Sequence, residues 1–256
     1  MGSARMIDYE SRGTVHHLVL HRPEKRNAIN REMIDGLSAG VAAALSDPDC
    51  RCLVLRGAGG NFSAGRDLGG SPPAAGLAEV LDRDSAWTGI FKQLAAAVKP
   101  TVAVVEGYAV AGGFTLAMAC DFVLAEESAR FGALEMRNDF PACVNTPLMA
   151  RLAVPRVGLE LAMTGKLFDA RRLYAVGLVN HLAEGSETLA ELAREFTGQL
   201  AALDPDAVAM TKELHRAACE MPFAGALDMG KYANALLAAS GRIGEAQARY
   251  RDRRDR

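Results

Sequence analysis

A glycine-rich turn between a buried strand and an apolar helix is the feature that most constrains this chain. Residues 101–105 form a β-branched run, and Gly112 and Gly113 open a helix that continues through apolar residues. The first N–H groups of a helix have no partner within it, and the helix dipole makes that end positive. The segment at residues 99–121 therefore predicts a site that holds either a developing oxyanion or a phosphate.

A second loop of small residues follows another apolar run. Residues 52–57 read as a buried strand, and a loop rich in glycine and alanine occupies residues 58–67. Two such loops can supply two backbone N–H groups to one carbonyl oxygen, which is the minimum for an oxyanion hole. Their spacing alone does not show that they converge.

The alternation of elements predicts an α/β fold. Short apolar strands are separated by helical or Gly/Pro-rich segments, and 256 residues suit one domain with a sizeable core. Asn30 is a predicted N-cap for a helix that buries one apolar face, formed by Met33, Ile34, Leu37 and Val41. Beyond residue 169 the chain is mostly helical.

Composition argues against several partners. The net charge is only −2, which gives no support for nucleic acid or an acidic membrane as a partner. The sequence contains no run of about 18 apolar residues, which a membrane span would need. Residues 1–5 lack the apolar core of a signal peptide. We expect a cytoplasmic protein whose five cysteines are reduced, because they show no C-x-x-C pairing.

Other cofactor motifs fail. The loop after residue 57 lacks the third glycine of G-x-G-x-x-G, and residues 160–167 lack the first glycine and the final hydroxyl residue of a P-loop. The five histidines show no metal-ligand spacing on a helix. We therefore expect neither a metal nor a redox cofactor.

Four stretches together resemble the enoyl-CoA hydratase/isomerase (crotonase) superfamily. They are HRPEKRNAIN at residues 21–30, FSAGRDL at 62–68, the turn and helix at 99–121, and ARFGALE at 129–135. The resemblance implies a crotonase-like spiral of repeated ββα units with a C-terminal helical portion. It also implies a core with the acyl-CoA site at residues 1–190, and helices for oligomer contacts at residues 191–256. A homotrimer or a dimer of trimers is the expected assembly.

The resemblance implies an acyl-CoA thioester as substrate, so that coenzyme A enters as part of the substrate and no separate cofactor is needed. The expected enzyme is a lyase or isomerase that works through a thioester enolate, and the favoured reaction is water addition to a 2-enoyl-CoA. Ala64 and Gly112 match the family's backbone oxyanion donors, and Glu135 matches its second catalytic glutamate. The implied coenzyme A contacts are Arg26, Ala28, Ala64, Gly65, Arg66, Asp67 and Leu68.

Two departures from the family pattern concern the carboxylates. Thr115 stands where the hydratases have their first catalytic glutamate, and a threonine can orient water but has no accessible pKa. The segment after Glu135 is one residue shorter than the usual spacing. Asp139 is thereby left as a possible second carboxylate, although a loop or capping role is favoured.

Three alternatives follow from these departures. A double-bond isomerase would use Glu135 as its single proton shuttle. A non-catalytic acyl-CoA-binding scaffold would explain the loss of a glutamate at Thr115. The least favoured alternative is a serine hydrolase with Ser63 as nucleophile, because residues 61–65 are a near miss to G-x-S-x-G.

Overall fold

The computed structural model describes residues 6–67, 69, 76–242 and 244. The chain divides into two compact units, Met1–Leu203 and Asp204–Arg256. The division predicted at residue 190 separates an acyl-CoA site from helices for oligomer contacts, so it concerns function and not packing. It stays a prediction.

The first unit holds all the strands that the described residues form. They are β1 (Ile7–Arg12), β2 (Val15–Leu20), β3 (Cys52–Gly57), β4 (Thr101–Val105), β5 (Tyr108–Val110), β6 (Phe122–Glu126), β7 (Arg130–Gly132), β8 (Phe168–Asp169) and β9 (His181–Ala183). Its helices are α1 (Arg31–Ser46), α2 (Leu77–Ala96), α3 (Gly112–Met118), α4 (Asn145–Leu152), α5 (Pro155–Met163), α6 (Ala170–Ala175) and α7 (Ser186–Ala201).

The strands form a large sheet and a small one. The large sheet has the order β1-β2-β3-β4-β6-β9, and every pair except β1–β2 is parallel. The small sheet has the order β5-β7-β8, so that β4 and β5 carry the chain from one sheet to the other just before α3. Two strands followed by a helix recur as β1–β2–α1, β4–β5–α3 and β6–β7–α4. The predicted α/β class is confirmed.

The central strands of the large sheet, β3 and β4, are buried on both faces. Leu53 and Leu55 of β3 join the core that includes buried residues of α1, α2 and α3, whereas Cys52 and Val54 join a second cluster packed by residues of α7. Successive strand residues point to opposite faces, so a strand covered on both sides reads as one continuous apolar run. This explains why β3 shows no polar alternation.

Helix α1 begins as the sequence predicts. Asn30 Oδ1 accepts a hydrogen bond from the Met33 N–H at 2.9 Å, which satisfies one unpaired donor of the first turn. The predicted apolar face is buried, and it comprises Met33, Ile34, Leu37, Val41 and Ala44. Both the cap and the apolar face of α1 are therefore confirmed.

The second unit is helical where it is described. Helices α8 (Pro205–Ala218) and α9 (Phe223–Ala239) form it, and Asp204 caps α8 by accepting from the Ala207 N–H at 2.9 Å. Over the residues described, no helix has the length and hydropathy needed to cross a bilayer.

A half-buried histidine of β2, His17, gives the fold a predictable pH dependence. Burial, together with the charges of Arg12 and Arg56, lowers the pKa of His17 to about 4. The unfolded chain then binds more protons than the folded one between that value and the ordinary pKa near 6.5, so the free energy of unfolding falls as the pH drops through this window. His17→Gln should flatten this part of the profile in urea titrations. His181→Gln, at an exposed position, should leave the wild-type slope unchanged.

Candidate active site

The loop that follows β3 is held by the buried side chain of Asn27. Its amide nitrogen donates to Ala58 O at 2.9 Å and to Asn61 O at 2.7 Å. Its Oδ1 accepts from the Arg22 N–H at 2.8 Å. Every polar atom of this side chain is satisfied, so its burial carries no unpaired group. The motif at residues 21–30 thereby sets the path of the loop at residues 57–67.

Ser63 is fully buried in this loop and is already hydrogen-bonded. Its hydroxyl donates to Asn27 O at 2.8 Å and accepts from the Gly65 N–H at 3.1 Å. A nucleophilic serine needs a base at its hydroxyl, whereas the Ser63 proton goes to a backbone carbonyl. The geometry therefore gives no support to a serine hydrolase.

The backbone of the loop runs alongside residues 26–29. The Ala64 N–H donates to Arg26 O at 2.9 Å, so this predicted oxyanion donor is already engaged. Ile29 forms the next two hydrogen bonds with the loop. Its N–H donates to Gly65 O at 2.7 Å, and its carbonyl accepts from the Asp67 N–H at 2.9 Å. Arg66 lies between these two bonds in a parallel bridge to Ile29. Its own N–H therefore points away from Ile29.

The Arg66 N–H lies on the side of the loop that is next to Gly112, the first residue of α3. A Cβ added at Gly112 would lie 3.4 Å from Arg66 N and 3.0 Å from Trp87 Cζ2. A Cβ added at Gly65 would lie 3.0 Å from Gly112 N and 2.8 Å from Val110 O. As the first residue of the helix, Gly112 has no intrahelical acceptor for its N–H. The structure therefore brings together the backbone amides of Arg66 and Gly112.

Glu135 follows β7 and opens a short 3-10 turn, Glu135–Asn138. Burial raises the pKa of its carboxyl above the ordinary 4.5, against the lowering effect of a hydrogen bond from the Glu135 backbone and one from Asn145. Its Oε2 is buried and has no hydrogen-bond partner within residues 6–67, 69, 76–242 and 244. A carboxyl with a raised pKa and an uncommitted oxygen is suited to transfer protons.

Asn145 is the residue of this site that the sequence analysis missed. It is the first residue of α4, is only 1% exposed, and its Nδ2 donates to Glu135 Oε1 at 3.1 Å. The same nitrogen donates to Ala111 O at 3.3 Å. No motif marked this position, and its only signal is an asparagine in the segment where the spacing after Glu135 departs from the family pattern.

Thr115 is buried in α3, where its hydroxyl donates to Ala111 O at 3.4 Å. The Thr115 hydroxyl and the Asn145 amide therefore donate to the same carbonyl. The role of Thr115 toward a substrate stays a prediction. Asp139 is exposed and closes the turn that begins at Glu135, with a φ of 56°. This conformation fits the favoured capping role.

The residues that the resemblance implies as coenzyme A contacts lie on two adjacent segments, residues 26–28 and the loop at residues 64–67. Arg26 is exposed with its guanidinium 5.6 Å from the centroid of the Tyr108 ring, and Ala28 O accepts from Arg22 Nη1 at 3.0 Å. The carboxylate of Asp67 pairs with the same Arg22 nitrogen at 2.6 Å, so it helps to hold the loop.

The side chain of Arg66 joins the loop to α2. Its Nη1 lies 2.7 Å from Asp84 Oδ1 in an ion pair that is largely exposed. Leu68, the last of the implied contacts, lies outside the described residues. The structure thus gathers the residues at 26–28 and 64–67 around one loop, with α2 tied to it.

Close packing at Gly65 yields a test of this geometry. Gly65 and Gly60 both have positive φ, 88° and 71°, but only Gly65 is crowded, because nothing lies within 4 Å of a Cβ added at Gly60. Gly60→Ala should cost about 1–2 kcal/mol of unfolding free energy from backbone strain alone. Gly65→Ala should cost distinctly more in urea titrations, and equal losses would contradict the close approach.

Comparisons with known proteins identify the family. Residues 10–255 match the sequence profile described as Enoyl-CoA hydratase/isomerase. A Thermus thermophilus protein, named provisionally as an enoyl-CoA hydratase, is 33% identical over 97% of this chain and 98% of its own length. The carnitinyl-CoA dehydratase of Salmonella typhi is 34% identical over 82% of this chain and 80% of its own length.

A solved structure shows the same fold. The crystal structure of an enoyl-CoA hydratase from Polaromonas sp. JS666 superposes with a TM-score of 0.85 at 29% identity, covering 96% of this chain and 97% of that one. The crotonase-like fold expected from the motifs is confirmed. The chain therefore belongs to the enoyl-CoA hydratase/isomerase family.

Proposed function

We propose that this protein adds water to the double bond of a 2-enoyl-CoA thioester. The observation that carries the proposal is the Glu135 carboxyl, whose burial raises its pKa and whose Oε2 has no hydrogen-bond partner among the described residues. The names of similar proteins, a hydratase from Polaromonas and a dehydratase from Salmonella, support chemistry that adds or removes water.

The proposed oxyanion donors are the N–H groups of Arg66 and Gly112. The family resemblance implied Ala64 in place of Arg66, but the Ala64 N–H already donates to Arg26 O. The Arg66 N–H points instead toward the start of α3, where the helix dipole adds a positive potential. One donor of this kind typically contributes about 3 kcal/mol to transition-state stability.

The reaction needs only one carboxyl under this proposal. The Glu135 carboxylate takes a proton from water while the water oxygen bonds to C3 of the substrate. The electrons of the double bond move onto the thioester oxygen, which the two backbone N–H groups stabilise. The protonated Glu135 then returns a proton to C2, and the sum is addition of one water molecule.

The alternative reaction moves the double bond. Glu135 would take a proton from C2 of a 3-enoyl-CoA, and the same carboxyl would return it to C4. The threonine at position 115 favours this alternative, because only one matched carboxylate remains. A non-catalytic acyl-CoA-binding role would require that neither reaction occurs.

The remaining expectations concern binding and assembly. We propose that Arg26, Ala28 and the loop at residues 64–68 contact coenzyme A, and that the protein forms a homotrimer or a dimer of trimers in the cytoplasm. Light scattering on the purified protein tests the assembly. A mass equal to one chain of 27.2 kDa would contradict it.

Turnover of a panel of 2-enoyl- and 3-enoyl-CoA esters tests the reaction. Glu135→Gln removes the proton acceptor but keeps the shape of the side chain, so hydration should fall about 10²- to 10⁴-fold. Asp139→Asn, which removes an exposed carboxylate four residues later, should change turnover less than twofold. Isomerisation of 3-enoyl esters without hydration would support the alternative, and no turnover of either class would leave only a binding role.

The pH dependence of hydration has a predictable sign. Water addition needs the ionised form of Glu135, and burial raises the pKa of this carboxyl above 4.5. We expect kcat/KM to rise with pH through that raised pKa and then to level off. A profile that is flat down to pH 4.5 would contradict the role of Glu135.

A further inference from the structure

Only one orientation of the Asn145 side-chain amide fits its hydrogen-bond partners. Its Nδ2 contacts two acceptors, Glu135 Oε1 at 3.1 Å and Ala111 O at 3.3 Å. A flipped amide would place Oδ1 against two oxygens, so both hydrogens of the nitrogen are committed to these atoms. Because the side chain is only 1% exposed, bulk solvent does not compete for these two hydrogens.

One of these acceptors belongs to the peptide group that forms the proposed oxyanion donor. The carbonyl of Ala111 and the N–H of Gly112 are the two ends of a single peptide unit. A hydrogen bond received by a carbonyl polarises its peptide group and strengthens the N–H as a donor. Asn145 therefore contacts the proposed proton acceptor and the carbonyl end of the peptide group whose N–H is the proposed oxyanion donor.

The backbone at this point needs such support. Ala111 has a φ of 49°, a conformation that an alanine adopts only when its surroundings hold it there. Its N–H donates to Gly132 O at 2.8 Å, and its carbonyl accepts from the Thr115 N–H at 3.1 Å as well as from Asn145. The direction of the Gly112 N–H thus depends on a peptide held from both sides.

One oxygen of Glu135 and one oxygen of Asn145 still require hydrogen-bond donors. Glu135 Oε2 and Asn145 Oδ1 are both buried, and neither has a hydrogen-bond partner in the part of the chain that the structure describes. Buried acceptors are costly unless a donor reaches them. In the proposed reaction, the donors are the O–H groups of the attacking water or of the hydroxyl in the product.

We propose that Asn145 is a positioning residue that couples Glu135 to the Ala111–Gly112 peptide and offers Oδ1 to the O–H group that reacts. This inference rests on the proposed function. It assigns to an asparagine part of the role that a second carboxylate would otherwise fill, while proton transfer stays with Glu135.

Asn145→Leu tests the proposal, because leucine has a similar volume and removes every polar atom. Loss of the hydrogen bond to the carboxylate should raise the pKa of Glu135 further, because that bond favours the charged form. Turnover number should fall about 10- to 100-fold with KM nearly unchanged, because the lost interactions matter most in the transition state.

The matched control is Asn180→Ala. Asn180 Oδ1 accepts from the Val123 N–H at 2.7 Å, so it is an asparagine that supports backbone structure away from Glu135. Both variants should lower the unfolding midpoint in urea. Only Asn145→Leu should move the Glu135 titration, followed by ¹³C NMR of labelled glutamate carboxyls with Glu135→Gln for assignment.

A conjugated dienoyl-CoA ester reports on the oxyanion donor, because its absorption moves to longer wavelength when the thioester carbonyl is polarised. This shift should be smaller in Asn145→Leu than in the wild-type protein. Asn145→Asp is a second variant of unchanged shape, and it should split the Glu135 titration into two coupled steps.

The outcomes separate this inference from the proposed function. A wild-type protein that turns over no ester of the panel would overturn the function, while the Glu135 titration would still decide the role of Asn145. A titration and an absorption shift that Asn145→Leu leaves as in Asn180→Ala would overturn the positioning role, whatever the turnover.

Discussion

The site depends on how closely the loop at residues 57–67 approaches the start of α3. Ser63 attaches this loop to β5, because its N–H donates to Tyr108 O at 2.8 Å and its carbonyl accepts from the Val110 N–H at 3.0 Å. The approach leaves no room for a side chain, since a Cβ added at Gly113 would lie 2.5 Å from Ser63 O. Glycine is required there for space rather than for backbone flexibility.

The chemistry of Glu135 depends on a balance between burial and hydrogen bonding. Burial disfavours the charged form of its carboxyl, and the amide of Asn145 favours it. A carboxyl that was buried without hydrogen bonds would have a higher pKa, and one with both oxygens hydrogen-bonded would have a lower pKa and be a weaker base. Hydrogen bonds from its own backbone and from Asn145, with Oε2 lacking a partner among the described residues, leave it between these limits.

Much of the fold is predictable from the sequence because it depends on local patterns. The cap at Asn30, the buried face of α1 and the glycine turn before α3 follow from residues within a few positions of one another. The apolar run of β3 likewise indicates a strand buried on both faces.

The details of the site depend on contacts between distant segments. The motif at residues 62–68 does not show which N–H is available. That depends on Arg26 and Ile29, which accept the bonds from the Ala64 and Asp67 N–H groups and leave the one at Arg66. Asn145 was missed for the same reason, because its partner Ala111 lies 34 residues earlier in the chain.

The packing of Trp87 beside Gly112 has a consequence for substitutions near the two amides. The glycines at this contact have no space for larger residues, so substitutions there would displace the backbone rather than reshape a cavity. Trp87 Cζ2 is the side-chain atom nearest to the position of a Gly112 Cβ, and its helix is tied to the loop through Asp84 and Arg66. A smaller residue at position 87 would therefore leave a cavity in the buried core beside Gly112, although the ion pair between Asp84 and Arg66 would remain.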